Sequence, residues 1–344
     1  MPAAKILLLT PYFTENRGNS TTAKRISSGL QQNGYEVTVF AYDEVHSNED
    51  IQSIADQSDF IHIIHFYRFC KWARKTQFQL NKPYILTSGG TDVNVDLFNE
   101  NSRMEMNEII RGACAITVFT QDAKDKITNA YNDLGNLRIE VIEQSVWFPE
   151  ENQADAVFDL PTGEPNLLLP SGLRKVKDIF FLMEEIICLK TKYPHLQFLI
   201  AGMVLEEKVY DTLQKYIEKY DWIQFLENVP IEKMVSLYKW AHIVLNTSIS
   251  EGQSSALLEA MDRGCIVMAR TNPGNASLIE DGQNGYLFDD GEEFLEKITK
   301  VLENSELVKT LTQNAKIFVQ TNHRFEDEIS AFIKLYENCL NNDK

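Results

Sequence analysis

Glu251 and Glu259 stand on either side of seven small or apolar residues in the stretch SEGQSSALLEAMDRG, Ser250 to Gly264. The preceding HIVLNTS reads as a buried strand, so Ser250-Glu251-Gly252 becomes the turn at its carboxyl end. A helix then starts near Gln253 or Ser254 and runs to Arg263, where Gly264 stops it. Its first N–H groups and the positive end of its dipole suit a phosphate or an electron-rich hydroxyl, and Gly252, Ser254 and Ser255 leave room for close approach. Glu259 lies about six residues into the helix, roughly 9 Å along it at 1.5 Å per residue. Carboxylates accept from adjacent sugar hydroxyls, as an acidic side chain grips the ribose in dinucleotide folds. A ligand with sugar hydroxyls at both ends and phosphates between them would use both glutamates and the helix mouth together. Nucleotide sugars have that layout. The same spacing also suits a Glu251 that caps the first turn and a solvated Glu259.

A second stretch points to anion chemistry. SGLRKVKD, Ser171 to Asp178, follows another apolar strand and carries Arg174, Lys175 and Lys177 in a chain whose formal charge is -17. The Arg174 fork can hold two phosphate oxygens, and Lys177 adds a point charge. The alternative is a basic helix start at the surface, where cations are poorly placed against the dipole. Overall acidity argues against nucleic acid and against a polybasic membrane anchor, so an anionic ligand must be caught by a local basic site. His62 and His65 in FIHIIHF sit three apart on an expected strand and point to opposite faces, which rules out a simple metal pair. His65, nearer the carboxyl end with Tyr67 and Arg68, is a candidate to line a cleft, or else a satisfied core histidine. The chain has no Asp-x-Asp and no His/Cys cluster with ligand spacing, so no metal is expected.

The elements that must position these residues alternate. Lys5–Thr10 reads as a buried strand, followed by the loop PYFTENRGNS and a helix from about Thr21 to Asn33 that ends at Gly34. Glu36–Ala41, a helix near 48 to 57, and strands at FIHIIHF, PYILTS, AITVFT and IEVIEQS continue the series. EENQADAVFDLPTGEPN then reads as a linker. A second series runs through NLLLPSG, a helix from about Asp178 to Tyr193, LQFLIAG, a helix from 206 to 220, IQFLEN, IEKMVSLYKWA, HIVLNTS, the glutamate helix, CIVMAR and a hairpin-like QNGYLF. Such alternation implies α/β architecture with two doubly wound parallel sheets, and ligands bind at the carboxyl ends of their strands. At 344 residues the chain is long enough for two such domains. The expected division is 1–150 and 165–322, facing a shared cleft. Five widely spaced cysteines suggest reduced thiols in the cytoplasm. The short apolar run at the start does not suit a secretory signal, and no stretch approaches the length of a membrane span.

Gly18-Asn19 after the first strand, Gly90-Thr91-Asp92, GLRKVKD from Gly172, and SEGQSSALLEAMDRGCIVMARTNPGNASLIEDGQNGYLF together resemble the retaining glycosyltransferases of family 4. Within it, the chain is most similar to the glycosyltransferase 1 domain-containing type, with its GGTDVN and PGNA segments. That resemblance implies the GT-B fold and metal-independent transfer of a sugar from a nucleoside diphosphate donor, UDP-sugar in expectation, with no further cofactor. Glu251 would contact the donor sugar, Glu259 the ribose, and Arg174 and Lys177 the diphosphate. Backbone around Gly252, Gln253, Ser254 and Ser255 would reach sugar and phosphates, and Gly18 and Asn19 would close the site from an acceptor-binding first domain. His65, Gly90, Asp92 and Asn275 are further cleft candidates. A tail helix, about 324–344, can cross back onto the first domain in this fold. Base recognition would rest on backbone near Gly202 and Glu227 to Pro230.

The chain departs from the family at two places. Where many members have His-Gly-Thr-Asp it has Gly89-Gly90-Thr91-Asp92, and the usual Gly-Gly-x-x-x-Glu appears as Pro273 to Leu278 without the glutamate. The PGN loop and the short GLRKVKD are also similar to selenosugar synthases. Alternatives are therefore transfer to selenium, a nucleotide-sugar binding protein without transfer activity, and an epimerase acting on the nucleotide sugar itself.

Overall fold

Two series of short apolar strands build two separate six-stranded sheets, each parallel throughout. The computed structural model describes residues 4–44, 50–131, 135, 137–149 and 158–342. The start of the helix expected from 48 and the linker over 150–157 lie outside the described residues. Chain contacts divide the protein into two units, Met1–Gln144 with Phe325–Lys344, and Ser145–Arg324.

The first unit runs β1 (Lys5–Thr10), α1 (Gly18–Gln32), β2 (Glu36–Ala41), α2 (Ile51–Gln57), β3 (Phe60–Ile64), α3 (Phe66–Thr76), β4 (Tyr84–Thr87), α4 (Thr91–Asn94), α5 (Glu100–Gly112), β5 (Ala115–Val118), α6 (Gln121–Ala130) and β6 (Arg138–Val141). Its strand order is β2-β1-β3-β4-β5-β6. β1, β3, β4 and β5 are apolar at nearly every position because helices cover both faces. The order reverses between β1 and β3, which opens a crevice at their carboxyl ends.

Three expectations change here. α1 begins at Gly18 rather than Thr21, so Gly18 and Asn19 form its first turn. FIHIIHF is not one strand: β3 stops at Ile64 and His65 takes a left-handed backbone, φ 72°, as the residue before α3. His65 therefore leaves the strand, and the alternation argument that placed it opposite His62 does not apply. α3 itself went unread, because Phe66, Phe69 and Cys70 continue the apolar run of β3 without a Gly or Pro to mark the turn.

The second unit runs β7 (Asn166–Pro170), α7 (Met183–Lys192), β8 (Gln197–Gly202), α8 (Glu207–Lys219), β9 (Ile223–Glu227), α9 (Ile231–Trp240), β10 (Ile243–Asn246), α10 (Ser255–Asp262), β11 (Ile266–Arg270), α11 (Pro273–Ala276), β12 (Tyr286–Phe288), α12 (Gly291–Glu303) and α13 (Ser305–Asn322). The strand order β12-β11-β10-β7-β8-β9 places its reversal between β7 and β10. QNGYLF is not a hairpin: β12 pairs parallel with β11 through Met268–Arg270. Its Asn-Gly lies in the loop between α11 and β12. α7 starts at Met183 rather than Asp178, because Lys175–Lys177 form a separate 3-10 turn that Asp178 closes at φ 42°.

The last helix, α14 (Phe325–Asn342), belongs to the first unit. It buries Phe332, Leu335, Tyr336 and Cys339 against Ile26, Leu30, Phe60 and Ile142. Among the described residues no helix is long and apolar enough to cross a membrane.

Candidate functional site

The loops that follow β7 and β10 flank the strand-order reversal of the second unit, and they carry the two chemistry-bearing stretches. The loop after β7 is pinned from both sides. Leu173 N–H donates to Met203 O at 2.8 Å and Lys175 N–H to Glu206 Oε1 at 3.1 Å. On the other flank, Ile249 N–H donates to Val176 O at 2.9 Å, and Thr247 Oγ1 donates to Lys177 O at 2.9 Å. Asp178, in its left-handed conformation, accepts from Arg270 Nη1 at 2.9 Å. Arg174 enters the turn in an extended conformation and is half-buried.

Lys177 and Glu251 form an ion pair through Nζ and Oε1, with side chains 18% and 12% exposed. The same carboxylate oxygen accepts from Ser248 Oγ at 2.7 Å and from Asn246 Nδ2 at 3.3 Å. Burial pushes the Glu251 pKa up, but the Lys177 charge and the hydrogen bonds from Lys177, Ser248 and Asn246 outweigh it and hold the group below its ordinary 4.5. Glu251 is thus an oriented, ionised carboxylate at neutral pH.

Gly252, Gln253 and Ser254 lead into α10, whose first residue is Ser255. Ser254 shows no side-chain cap; its hydroxyl instead accepts from Asn246 Nδ2 at 3.1 Å. Gln253 reaches Ser277 Oγ at 3.4 Å. Glu259 is 7% exposed rather than solvated, and it accepts from Tyr238 Oη at 2.7 Å. Asn275 is fully buried and ties this region to β11: its Nδ2 donates to Arg270 O at 2.9 Å and to Asn246 Oδ1 at 3.3 Å. Lys177, Glu251, Ser254 and Asn275 are thus joined by hydrogen bonds around Asn246, Arg174 stands at the entry of the turn that carries Lys177, and Glu259 lies further along α10 against Tyr238.

The remaining candidates lie in the first unit, around its own reversal between β1 and β3. Gly18 and Asn19 open α1. His65 Nε2 hydrogen-bonds Thr91 Oγ1 at 2.9 Å, and its ring is 3.7 Å from the buried Asp92 carboxylate through Nδ1. Asp92 is fully buried and binds backbone: it accepts from Phe66, Gly89 and Val93 N–H at 3.0 Å each and from Ser88 Oγ at 2.9 Å. Gly90 precedes α4 at φ 96°. A side chain at Gly89 would begin 2.6 Å from His65 Cδ2, so the imidazole fills the space beside the glycine. Among the described residues no three His, Cys, Asp or Glu side chains group as metal ligands.

Two features escaped the sequence. Tyr238 sits in a helix whose apolar period marks it as core, and nothing in IEKMVSLYKWA signals that its hydroxyl meets Glu259. The Ser248 and Asn246 contacts to Glu251 follow from the turn after β10, where the spacing Asn-x-Ser-x-x-Glu is the only trace.

Residues 150–318 match the family described as glycosyl transferases group 1. Over the whole chain, a relative from Xenopus tropicalis, glycosyltransferase 1 domain-containing protein 1, is 27% identical, covering 97% of this chain and 98% of its own. Among solved structures, Anabaena HepE in complex with UDP and glucose superposes with a TM-score of 0.76 at 17% identity, over 97% of this chain and 100% of that one. Sucrose-phosphate synthase from Thermosynechococcus elongatus gives 0.76 at 16% identity, over 98% and 99%. The fold is GT-B, as the motifs implied.

Proposed function

We propose that this protein transfers a glycosyl group from a UDP-sugar to an acceptor, with retention of configuration and without a metal, in the cytoplasm. The observation that carries the reading is the Lys177–Glu251 pair at the β7/β10 reversal, beside Arg174 and the start of α10. A cation and an ionised carboxylate largely sheltered from water, next to the first N–H groups of a helix, make a place for a diphosphate next to a polyol. The group 1 match spans this unit, and the HepE structure named above holds UDP and glucose.

In this reading the second unit carries the donor and the first the acceptor. Glu251 accepts from donor-sugar hydroxyls. Lys177 orients it and, when the donor arrives, shares its charge with the diphosphate. Arg174 and the first turn of α10 meet the charge that develops on the leaving diphosphate as the glycosidic bond breaks. Gly252 to Ser255 bring backbone within reach of sugar and phosphates, and Glu259 accepts from the ribose. The acceptor proton passes to the departing phosphate, so no separate base is required.

Losing one preorganised donor to a developing anion typically costs about 2.7 to 4 kcal/mol of barrier. Arg174→Ala should therefore lower turnover by roughly a hundredfold or more, measured as UDP release with a panel of UDP-sugars and acceptors. A variant that turns over at the parental rate removes Arg174 from the assignment. The anomeric configuration of the product, read by NMR, decides retention.

A further inference from the structure

We infer that Tyr238 is a positioning residue for nucleotide recognition: its hydroxyl sets the orientation of the Glu259 carboxylate and thereby the protein's preference for a ribonucleotide over a deoxyribonucleotide. The inference rests on the reading of Glu259 as the ribose contact.

Tyr238 is 1% exposed on α9, inside an apolar cluster that includes Leu237, Leu257, Leu258, Ala260 and Met261, and Glu259, 7% exposed, lies between two of those residues along α10. A carboxylate in such surroundings is costly unless its oxygens are hydrogen-bonded. Tyr238 Oη donates to Glu259 Oε2 at 2.7 Å. Burial first, and then the Glu259 charge, push the phenol well above its ordinary 10, so the hydroxyl keeps its proton and donates throughout the physiological range.

The bond from Tyr238 to Oε2 has a geometric consequence. A glutamate has three side-chain torsions, and the last, about the carboxylate plane, is broad. Fixing Oε2 against a ring that cannot itself move sets that plane and the direction of Oε1. A carboxylate already held this way loses little freedom when a diol binds, which is how a contact becomes selective rather than merely attractive. The backbone that carries Tyr238 is held in turn, since its carbonyl accepts from Cys265 Sγ at 3.1 Å, and the ring itself is confined by its near-complete burial. The phenol does not need to touch the ligand.

The test compares UDP with 2′-deoxy-UDP by calorimetry on the full chain and on Tyr238→Phe, Glu259→Asp and Glu259→Gln. Tyr238→Phe removes only the hydroxyl. It should weaken UDP roughly tenfold while leaving 2′-deoxy-UDP within about twofold, so that the ratio between the two collapses. Glu259→Asp draws the carboxylate away from both the phenol and the ribose and should also lose the ratio, which tests the contact, and Tyr238→Leu, which likewise lacks the hydroxyl, tests the positioning if Tyr238→Phe does not fold. Turnover should show the donor KM raised about tenfold with kcat little changed. A purely structural role for the hydroxyl would lower the melting temperature and leave the ratio intact, which overturns the inference. If Tyr238→Phe keeps the ratio while Glu259→Asp and Glu259→Gln abolish it, the ribose contact stands and the positioning role falls. If Glu259→Gln also keeps it, or the parent protein binds neither nucleotide, the reading of Glu259 fails and the inference with it.

Discussion

A methyl group at Gly274 would stand 2.6 Å from the Glu251 carbonyl oxygen and 2.7 Å from that of Gly252. Both neighbours are backbone, so neither can swing aside, and Gly274→Ala must push the turn after β10 away from β11. That turn carries Glu251 with its bonds from Lys177, Ser248 and Asn246. A displacement near 1 Å can cost about a hundredfold in rate through lost alignment. We expect at least a tenfold fall in turnover with the fold retained, checked by kinetics alongside circular dichroism. At this scale the sequence was informative wherever charge broke an expected pattern. Glu259 inside an apolar helix and three cations in an acidic chain both drew attention for that reason. The partners of Glu251 and Glu259 were hidden, because Ser248, Asn246 and Tyr238 are unremarkable types at ordinary positions, and only the folded turn and the α9/α10 packing bring them together.

Between elements, the most consequential polar contact is the one that fastens α14 to α1. Arg25 and Glu328 are each 1% exposed and meet through two hydrogen bonds, Nε to Oε2 at 2.8 Å and Nη2 to Oε1 at 3.0 Å. Arg25 Nη2 also donates to Gln144 Oε1 at 3.1 Å. Removing one member of a buried pair costs about 3–5 kcal/mol, because the other charge stays buried. Arg25→Met should lower the urea midpoint of the first unit accordingly, and adding Glu328→Leu should recover most of the loss. A midpoint unmoved by Arg25→Met would mean water enters to replace the guanidinium. Elements were legible where a strand is buried on both faces and ends in turn residues: β1 and β2 stand at the positions read from their runs. They were illegible where one apolar run crosses a turn, as at β3 and α3. Asn-Gly misled at β12, since the dipeptide favours tight turns but cannot say whether the next strand pairs with its neighbour or continues the sheet.

For the molecule as a whole, acid is the sharpest stress. His62 is wholly buried, with Nδ1 2.6 Å from Tyr336 Oη and Nε2 2.6 Å from Thr87 Oγ1. Burial lowers its pKa from 6.5 to about 3. Between those values the unfolded chain binds a proton that the folded chain refuses, so stability is full above 6.5 and falls as the pH drops toward 3. The slope is at most about 1.4 kcal/mol per pH unit from this one group. Melting temperatures at pH 7.5 and 5.5 should differ, and His62→Gln should narrow the difference; an unchanged difference would assign it to the carboxylates. The return of α14 carries a last consequence, for synthesis. The ribosome delivers the first 144 residues early, yet the helix that completes their core comes only after about 180 more. At roughly 5 to 20 residues per second that interval is about 10 to 40 s. The nascent amino-terminal half must wait, its Ile26, Leu30 and Phe60 surface uncovered, while the later half finishes first.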